Sequence, residues 1–428
     1  MLQHPSSGST SDPVPGSTSG PVSDPASDLA PRSFARYRSV LRVPGVAGPL
    51  ASVLAGAAAI GMLDLALLFL GRHLTGSLAV AGAVTGAFGV GNALGLPAQG
   101  RLMDRLTPTR AKLVPGVAGA VCGLLLLLVG AALPTGVPAW LPVVLALLAG
   151  FSLPATTAGT RVLLRELVAD PALRPAAYAL LGALFQLGFL LGPALVSGLW
   201  VVAGPRAAVL VSGLLATGSG LLFATAGSAH GHPPGEAAPN EAPASRPGGR
   251  GVRTLAVGSL VGGLAAGLIG VGVPAVALEA GAPAWGGVLL SVSAVGTLAG
   301  GVAFGALWPA PRGRDLPTSL VAAACAALLA AACAGSLPAF GVALFVSGVC
   351  AAPVGLIGSA LLDVVVARHV LTQAYALLIC AQLLGAAAGY AAGGALAGAA
   401  GPAVLFGYAA AALAAAAGWA LARRRTLG

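Results

Sequence analysis

Gly100-Arg101-Leu102-Met103-Asp104-Arg105-Leu106-Thr107-Pro108-Thr109-Arg110-Ala111-Lys112 is a short basic stretch between two long apolar runs, residues 77–99 and 113–133. Each run has the roughly 20 residues that a helix needs to cross a bilayer core. The stretch is therefore a turn between two membrane spans. Its bases, Arg101, Arg105, Arg110 and Lys112, also assign it a side, because short basic loops stay in the cytoplasm.

Threading outward gives twelve spans: 46–70, 77–99, 113–133, 138–160, 176–202, 206–227, 254–278, 286–308, 317–335, 337–360, 373–398 and 401–422. With that threading, all of the 22 Lys and Arg residues except Arg72 and Arg206 fall on the side of the first stretch. Both termini are then cytoplasmic. The tryptophans agree: Trp140, Trp200 and Trp285 fall at one set of span ends, Trp308 and Trp419 at the other, where amphipathic rings are favoured.

Composition points the same way. The 428 residues are 57% hydrophobic and 8% charged, against about 25% charged in soluble domains. This is an all-α integral membrane protein. The net charge of +10 does not imply nucleic acid, because the bases are scattered over separate loops; there they orient the chain and meet anionic lipid headgroups. Lys112 is the only lysine. With the abundant Ala, Gly and Pro, that bias suggests a high-GC bacterial genome, hence an inner-membrane location.

Cys122, Cys325, Cys333, Cys350 and Cys380 all lie in apolar runs without metal-ligand spacing; they read as small packing residues. No cofactor is expected. A G-x-x-x-x-G-K-[ST] loop is absent, so ATP is not the energy source, and no nucleophile–base set falls in one plausible cavity.

The chain divides in four. Residues 1–42 form a tail, disordered over 1–30. Within 32–42, Phe34, Tyr37, Val40 and Leu41 interleave with four arginines, as a helix lying on the inner leaflet or as a basic anchor without helix. Residues 43–227 are a first six-helix bundle and 228–253 a Pro/Gly-rich cytoplasmic linker containing His230 and His232. Residues 254–428 are a second bundle with a short basic tail. The bundles repeat one another. Ala177-Tyr178-Ala179-Leu180-Leu181 recurs 197 residues later as Ala374-Tyr375-Ala376-Leu377-Leu378, and Gly188 and Gly192 recur as Gly385 and Gly389. Gly91, Gly95, Gly100 and Leu102 recur 205 residues later as Gly296, Gly300, Gly305 and Leu307. Repeated bundles with substrate held between them are a transporter architecture.

The opening stretch resembles the signature loop G-x-L-x-D-R-x-G-R-R of the major facilitator superfamily. Gly100, Leu102, Asp104 and Arg105 match; Thr107 replaces the second glycine, and Arg110 and Lys112 are displaced around Pro108. The resemblance implies two rocking six-helix bundles, with these residues as an inner gate. Span five, with Gly188, Gly192 and Pro193, is similar to the family's antiporter pattern G-x-x-x-G-P-x-x-G-G, although Val196-Ser197 replaces the final pair. Close-packed glycines and a proline that permits a bend suit a rocking contact between halves. The arginine that drug antiporters of the family carry in span four is absent: Ala146 and Ala149 occupy those places.

Asp64 is the only acid well inside a predicted span. A charge there costs about 2.5–3.5 kcal/mol, so it should face a cavity or a partner. It is either a proton or substrate site, or a carboxylate reaching up to Arg72 or His73. Glu279, at the end of span seven, is a second proton candidate or a solvated loop acid. Asn92, Gln186, Gln382 and Tyr390 are embedded polar groups that either bind substrate or tie helices together; Tyr178 and Tyr375 are interfacial anchors. No span interior holds Arg or Lys, which disfavours anionic substrates. The expected function is proton-coupled efflux of a small, mostly apolar, neutral or cationic compound by a monomer. The alternatives are a proton-coupled importer of a nutrient on the same fold, and a non-transporting membrane scaffold or sensor.

Overall fold

The computed structural model describes residues 37–171, 173–226, 249–307, 313–366 and 371–423. The tail over 1–36, the linker over 227–248 with His230 and His232, and Trp308 lie outside the described residues. Secondary structure among the described residues is helical throughout, and the helices follow the threading. Spans one to three are Ala47–Thr75, Leu78–Arg105 and Leu113–Leu127 extended by a π turn over Leu128–Ala132. Span four is Trp140–Phe151 plus Thr156–Leu167. Spans five and six share Arg174–Ala224. Spans seven to twelve are Arg250–Glu279, Trp285–Leu307, Asp315–Cys333, Leu337–Val365, Leu371–Ala400 and Ala403–Ala422.

Three junctions have a local cause, the first where the threading expected it and the other two not. The helix Arg174–Ala224 counts as two spans because Gly204 takes φ 78° and ψ −177°, a conformation open to glycine. Pro205 follows at once and starts span six without needing an N–H partner. Span four, expected unbroken over 138–160, breaks at Ser152–Ala155, where Pro154 removes a backbone donor. Span two runs past 99 to Arg105 and stops where Leu106 turns extended, just before Thr107-Pro108, a pair that disfavours helix.

The basic segment over 37–41 is helical. Val40 is fully buried beside Val46, Leu50, Leu164 and Val168, which favours the helix over an unstructured anchor for these residues.

Twofold pseudo-symmetry is visible in the glycine contacts. Gly188 and Gly192 bring span five onto the backbone of span one at Leu54 and Gly61; Gly385 and Gly389 bring span eleven onto span seven at Leu260, Leu264 and Gly267. Gly91 and Gly95 of span two approach Leu147 and Phe151 of span four, and Gly296 and Gly300 of span eight approach Phe345 and Val349 of span ten. Without a Cβ the backbones meet at dispersion distance, the main attraction left when solvent is lipid.

The halves meet along spans two and eleven, and along spans five and eight. Gly82 sits on the backbone of Tyr390 and Gly394, and Gly86 lies against Ala387. On the symmetric side Gly287 sits on Pro193 and Ser197, and Ser291 Oγ donates to Leu190 O at 3.4 Å. These contacts lie between mid-span and the end away from the Gly100–Lys112 stretch. There Leu68 and Ala81 join Leu268, Val271 and Ala397 in one buried apolar cluster, which closes that end.

Candidate functional site

Asp64 and Tyr390, from different halves, meet. Asp64 lies on span one, past its midpoint, and is partly buried. Tyr390 Oη donates to Asp64 Oδ2 at 3.0 Å. The ring of Tyr390 lies over Gly270 of span seven: a Cβ there would be 2.8 Å from both Oη and Cε1. Thr85 Oγ1 of span two donates to Ala81 O at 3.1 Å and approaches Asp64 O at 3.5 Å. Tyr390 is thus the described partner of the carboxylate, while Thr85 approaches the Asp64 backbone and Gly270 makes room for the Tyr390 ring. Arg72 and His73 are exposed, two turns further along span one; the acid reaches Tyr390 rather than either of them.

The other candidates are more dispersed. Asn92 is buried on span two, and its Oδ1 takes no hydrogen bond from a described residue. Gln186 is partly buried and Gln382 exposed; it is the Gln382 backbone, against Gly263, that packs. Glu279 is exposed at the end of span seven. It lines an open cavity of about 350 Å³ with Ala334, Ala400, Gly401 and Pro402, away from the Asp64–Tyr390 pair. The hydroxyl of Tyr375, expected as an interfacial anchor, lies 3.0 Å from Asp363 Oδ1 and 3.2 Å from Ser359 O, sharing its one hydrogen between them and tying span eleven to span ten.

The expected gate residues stand apart. Gly100, Leu102, Asp104 and Arg105 occupy the last two turns of span two, and Asp104, Arg105 and Arg110 are exposed. Asp104 forms no ion pair with a described residue; Arg314–Asp315, at 3.9 Å, is the pair found among them. Lys112 Nζ instead donates to Ala226 O at 3.0 Å, capping the end of span six, where a cation is favoured. The rocking contact expected at Gly188, Gly192 and Pro193 is displaced. The two glycines pack within their own half, on span one, and the turn of Pro193 and Ser197 touches Gly287 of the other half.

Two residues with no expected role hold the first bundle in shape. Gln99 is buried, and its Nε2 donates to Phe151 O at 3.2 Å and Leu153 O at 2.8 Å while its Oε1 accepts from Ala155 N at 3.1 Å. It thus satisfies the backbone groups that Pro154 sets free. A buried amide one residue before the basic stretch was the available signal. Replacing Gln99 with Leu should leave all three groups unpaired and cost about 1–3 kcal/mol, read as a lowered thermal unfolding midpoint of the purified protein; an unchanged midpoint would remove this role. Arg206, one of the two bases on the minority side, donates to Gly130 O, Ala131 O and Leu133 O. The π turn ending span three exposes those carbonyls, so the arginine serves as a helix cap.

The chain matches the family model described as "Major Facilitator Superfamily" over residues 50–314. No curated protein matches it in sequence. Solved structures with the same fold include the nucleoside transporter NupG, with a TM-score of 0.69 at 12% identity, covering 89% of this chain and 98% of that one. A bacterial homologue of the human lysosomal transporter Spinster, inward-facing and unoccupied, gives 0.66 at 15%, covering 90% and 98%. The human organic anion transporter MFSD10 gives 0.58 at 19%, covering 91% and 99%.

Proposed function

Because the chain belongs to the major facilitator superfamily, and is therefore a membrane transporter, we propose that it exports a small, mostly apolar, neutral or cationic compound in exchange for protons. The observation that carries this reading is the Asp64 carboxyl, held between the two halves by Tyr390 Oη at 3.0 Å. A group at that place is reachable from either side as the bundles rock. Its protonation would bias the two-state equilibrium between the openings.

Charge supports the substrate class. Among the described residues, the bases within spans one, two and four, Arg72, Arg101, Arg105, Arg161 and Arg165, are exposed and lie toward span ends, and Arg206 is engaged with three carbonyls. No described Arg or Lys lies at mid-span, which disfavours an anionic substrate. The basic loops support a cytoplasmic assignment for their own end. Most of the described contacts between the halves lie toward the other end, an arrangement that supports loading from the cytoplasm. Asp104, exposed and without an ion pair to a described residue, fits this arrangement, since an inner gate built on it would be undone.

The test uses everted vesicles with an imposed pH gradient, acid inside, and a panel of apolar amines and neutral aromatics first screened for thermal stabilisation of the purified protein. Export predicts gradient-dependent accumulation of at least one stabilising compound in the vesicle lumen. Accumulation only with the opposite gradient would assign import. Stabilising compounds that move under neither gradient would support a sensor.

A further inference from the structure

The pseudo-symmetry assigns Asp64 and Tyr390 counterparts. Span seven repeats span one with a shift of 206 residues, fixed by the matched contacts of Gly192 on Gly61 and Met62 and of Gly389 on Gly267 and Leu268. Asp64 then corresponds to Gly270. Span eleven repeats span five with a shift of 197 residues, so Tyr390 corresponds to Pro193. The repeat is therefore broken at both members of one hydrogen bond. It is broken in a complementary way: Gly270 supplies the space in which the Tyr390 ring lies, and Tyr390 crosses from the second half to the acid of the first.

On the symmetric side no such bond can form. Pro193 has no donor and Gly270 no acceptor side chain. The seam between spans five and eight keeps the Gly287 approach to Pro193 and Ser197 and the 3.4 Å contact of Ser291 Oγ with Leu190 O. The seam between spans two and eleven keeps the equivalent approach of Gly82 to Tyr390 and Gly394 and adds the Tyr390–Asp64 bond. A donor on a carboxylate makes a stronger hydrogen bond than a neutral pair does. The groups facing Asp64 are Tyr390 from span eleven and Thr85 from span two; Arg72 and His73, on its own span, are exposed two turns away.

We propose that Tyr390 is a positioning residue that latches the non-cytoplasmic end shut through Asp64, so that the transporter must break this one bond to open outward. The proposal rests on the reading of Asp64 as the working carboxyl of the transporter. Its test is independent of transport.

Spin labels would be placed at the exposed residues Ala79 and Ala399, which begin span two and end span eleven. The full chain would be used in lipid nanodiscs, with the five native cysteines replaced by alanine, and distances measured by pulsed electron resonance. Tyr390→Phe, which keeps the ring but loses the donor, should lower the ratio of closed to open populations about tenfold. Gly270→Ala, which crowds the ring off its seat, should do the same; it also serves if the first variant fails to fold. Asp64→Leu should match Tyr390→Phe, and the double variant should open no further than either single one, because both remove the same bond. Unchanged distance distributions in Tyr390→Phe and Gly270→Ala would overturn the latch, and so would additive shifts in the double variant. A failure of proton-coupled transport by itself would bear on Asp64 as proton carrier and leave this distance measurement standing.

Discussion

Replacing Asp64 with Asn is expected to abolish proton-driven accumulation while leaving insertion, folding and the closed resting state intact. Asparagine has nearly the same shape. Its Oδ1 can accept from Tyr390 Oη, which now donates to Asp64 at 3.0 Å, so the contact between the halves survives. What it lacks is a titratable proton. One pH unit corresponds to about 1.4 kcal/mol, so a gradient of two units driving one exchanged proton supports roughly a 100-fold accumulation, which should fall to about the level of simple equilibration. The measurement is uptake into everted vesicles with and without the gradient, alongside exchange of labelled for unlabelled compound without any gradient. Exchange that persists while accumulation vanishes separates lost coupling from lost binding. Accumulation at the parental level in Asp64→Asn would take this carboxyl out of the mechanism and turn attention to Glu279.

Gly150→Leu should have the largest effect on folding. A Cβ at Gly150 would collide with the carbonyl of Phe88 and lie 3.0 Å from the amide nitrogen of Asn92. These are backbone atoms that cannot rotate away. Gly91 and Gly95 press back onto Leu147 and Phe151 from the facing helix, so neither span can retreat without opening the other contact. Overpacking typically costs about 1–3 kcal/mol and at times more, here against backbone atoms that cannot yield, and in lipid there is little hydrophobic gain to offset it. Fluorescence-detected size-exclusion chromatography should show little monodisperse protein. Gly348→Leu should behave alike, because its Cβ would meet Ser293 O and lie 2.8 Å from Thr297 N. Gly198→Leu is the control: it is exposed, with open space where a Cβ would go. A monodisperse Gly150→Leu protein of parental stability would refute the packing argument.

The spans and the repeat were legible because they are written in long-range composition. Apolar length, the side on which arginines fall and glycines four apart are all properties of whole segments. Gly188 with Gly192, and Gly385 with Gly389, could be paired by number before any contact was known, and both pairs lie on the matching helix of their own half. The site was half legible. Asp64 stood out as an acid in an apolar run and Tyr390 as an embedded polar group, but their pairing spans 326 positions and leaves no periodic trace. Gly270 carried no signal at all, because in a chain with 64 glycines one that makes room for a tyrosine looks like any other. Gln99 and Arg206 escaped for a related reason. Each satisfies carbonyls freed by an irregular turn in another span, and neither Pro154 nor the π turn over Leu128–Ala132 announces its partner. In sequence the gate stretch looks like loop where the helix in fact continues to Arg105, since bases mark the water boundary and not the end of hydrogen bonding.

The duplicated architecture also offers a filter for genetic data. In a saturation mutagenesis map, positions intolerant for reasons of packing should come as twins, one per half, at the spacing that separates Gly150 from Gly348 or Gly192 from Gly389. An intolerant position whose twin accepts substitution has been set aside for something the ancestral half did not do. Solitary sensitivity of that sort, beginning at Asp64 and Tyr390, would draw the outline of the transport pathway without any knowledge of the cargo.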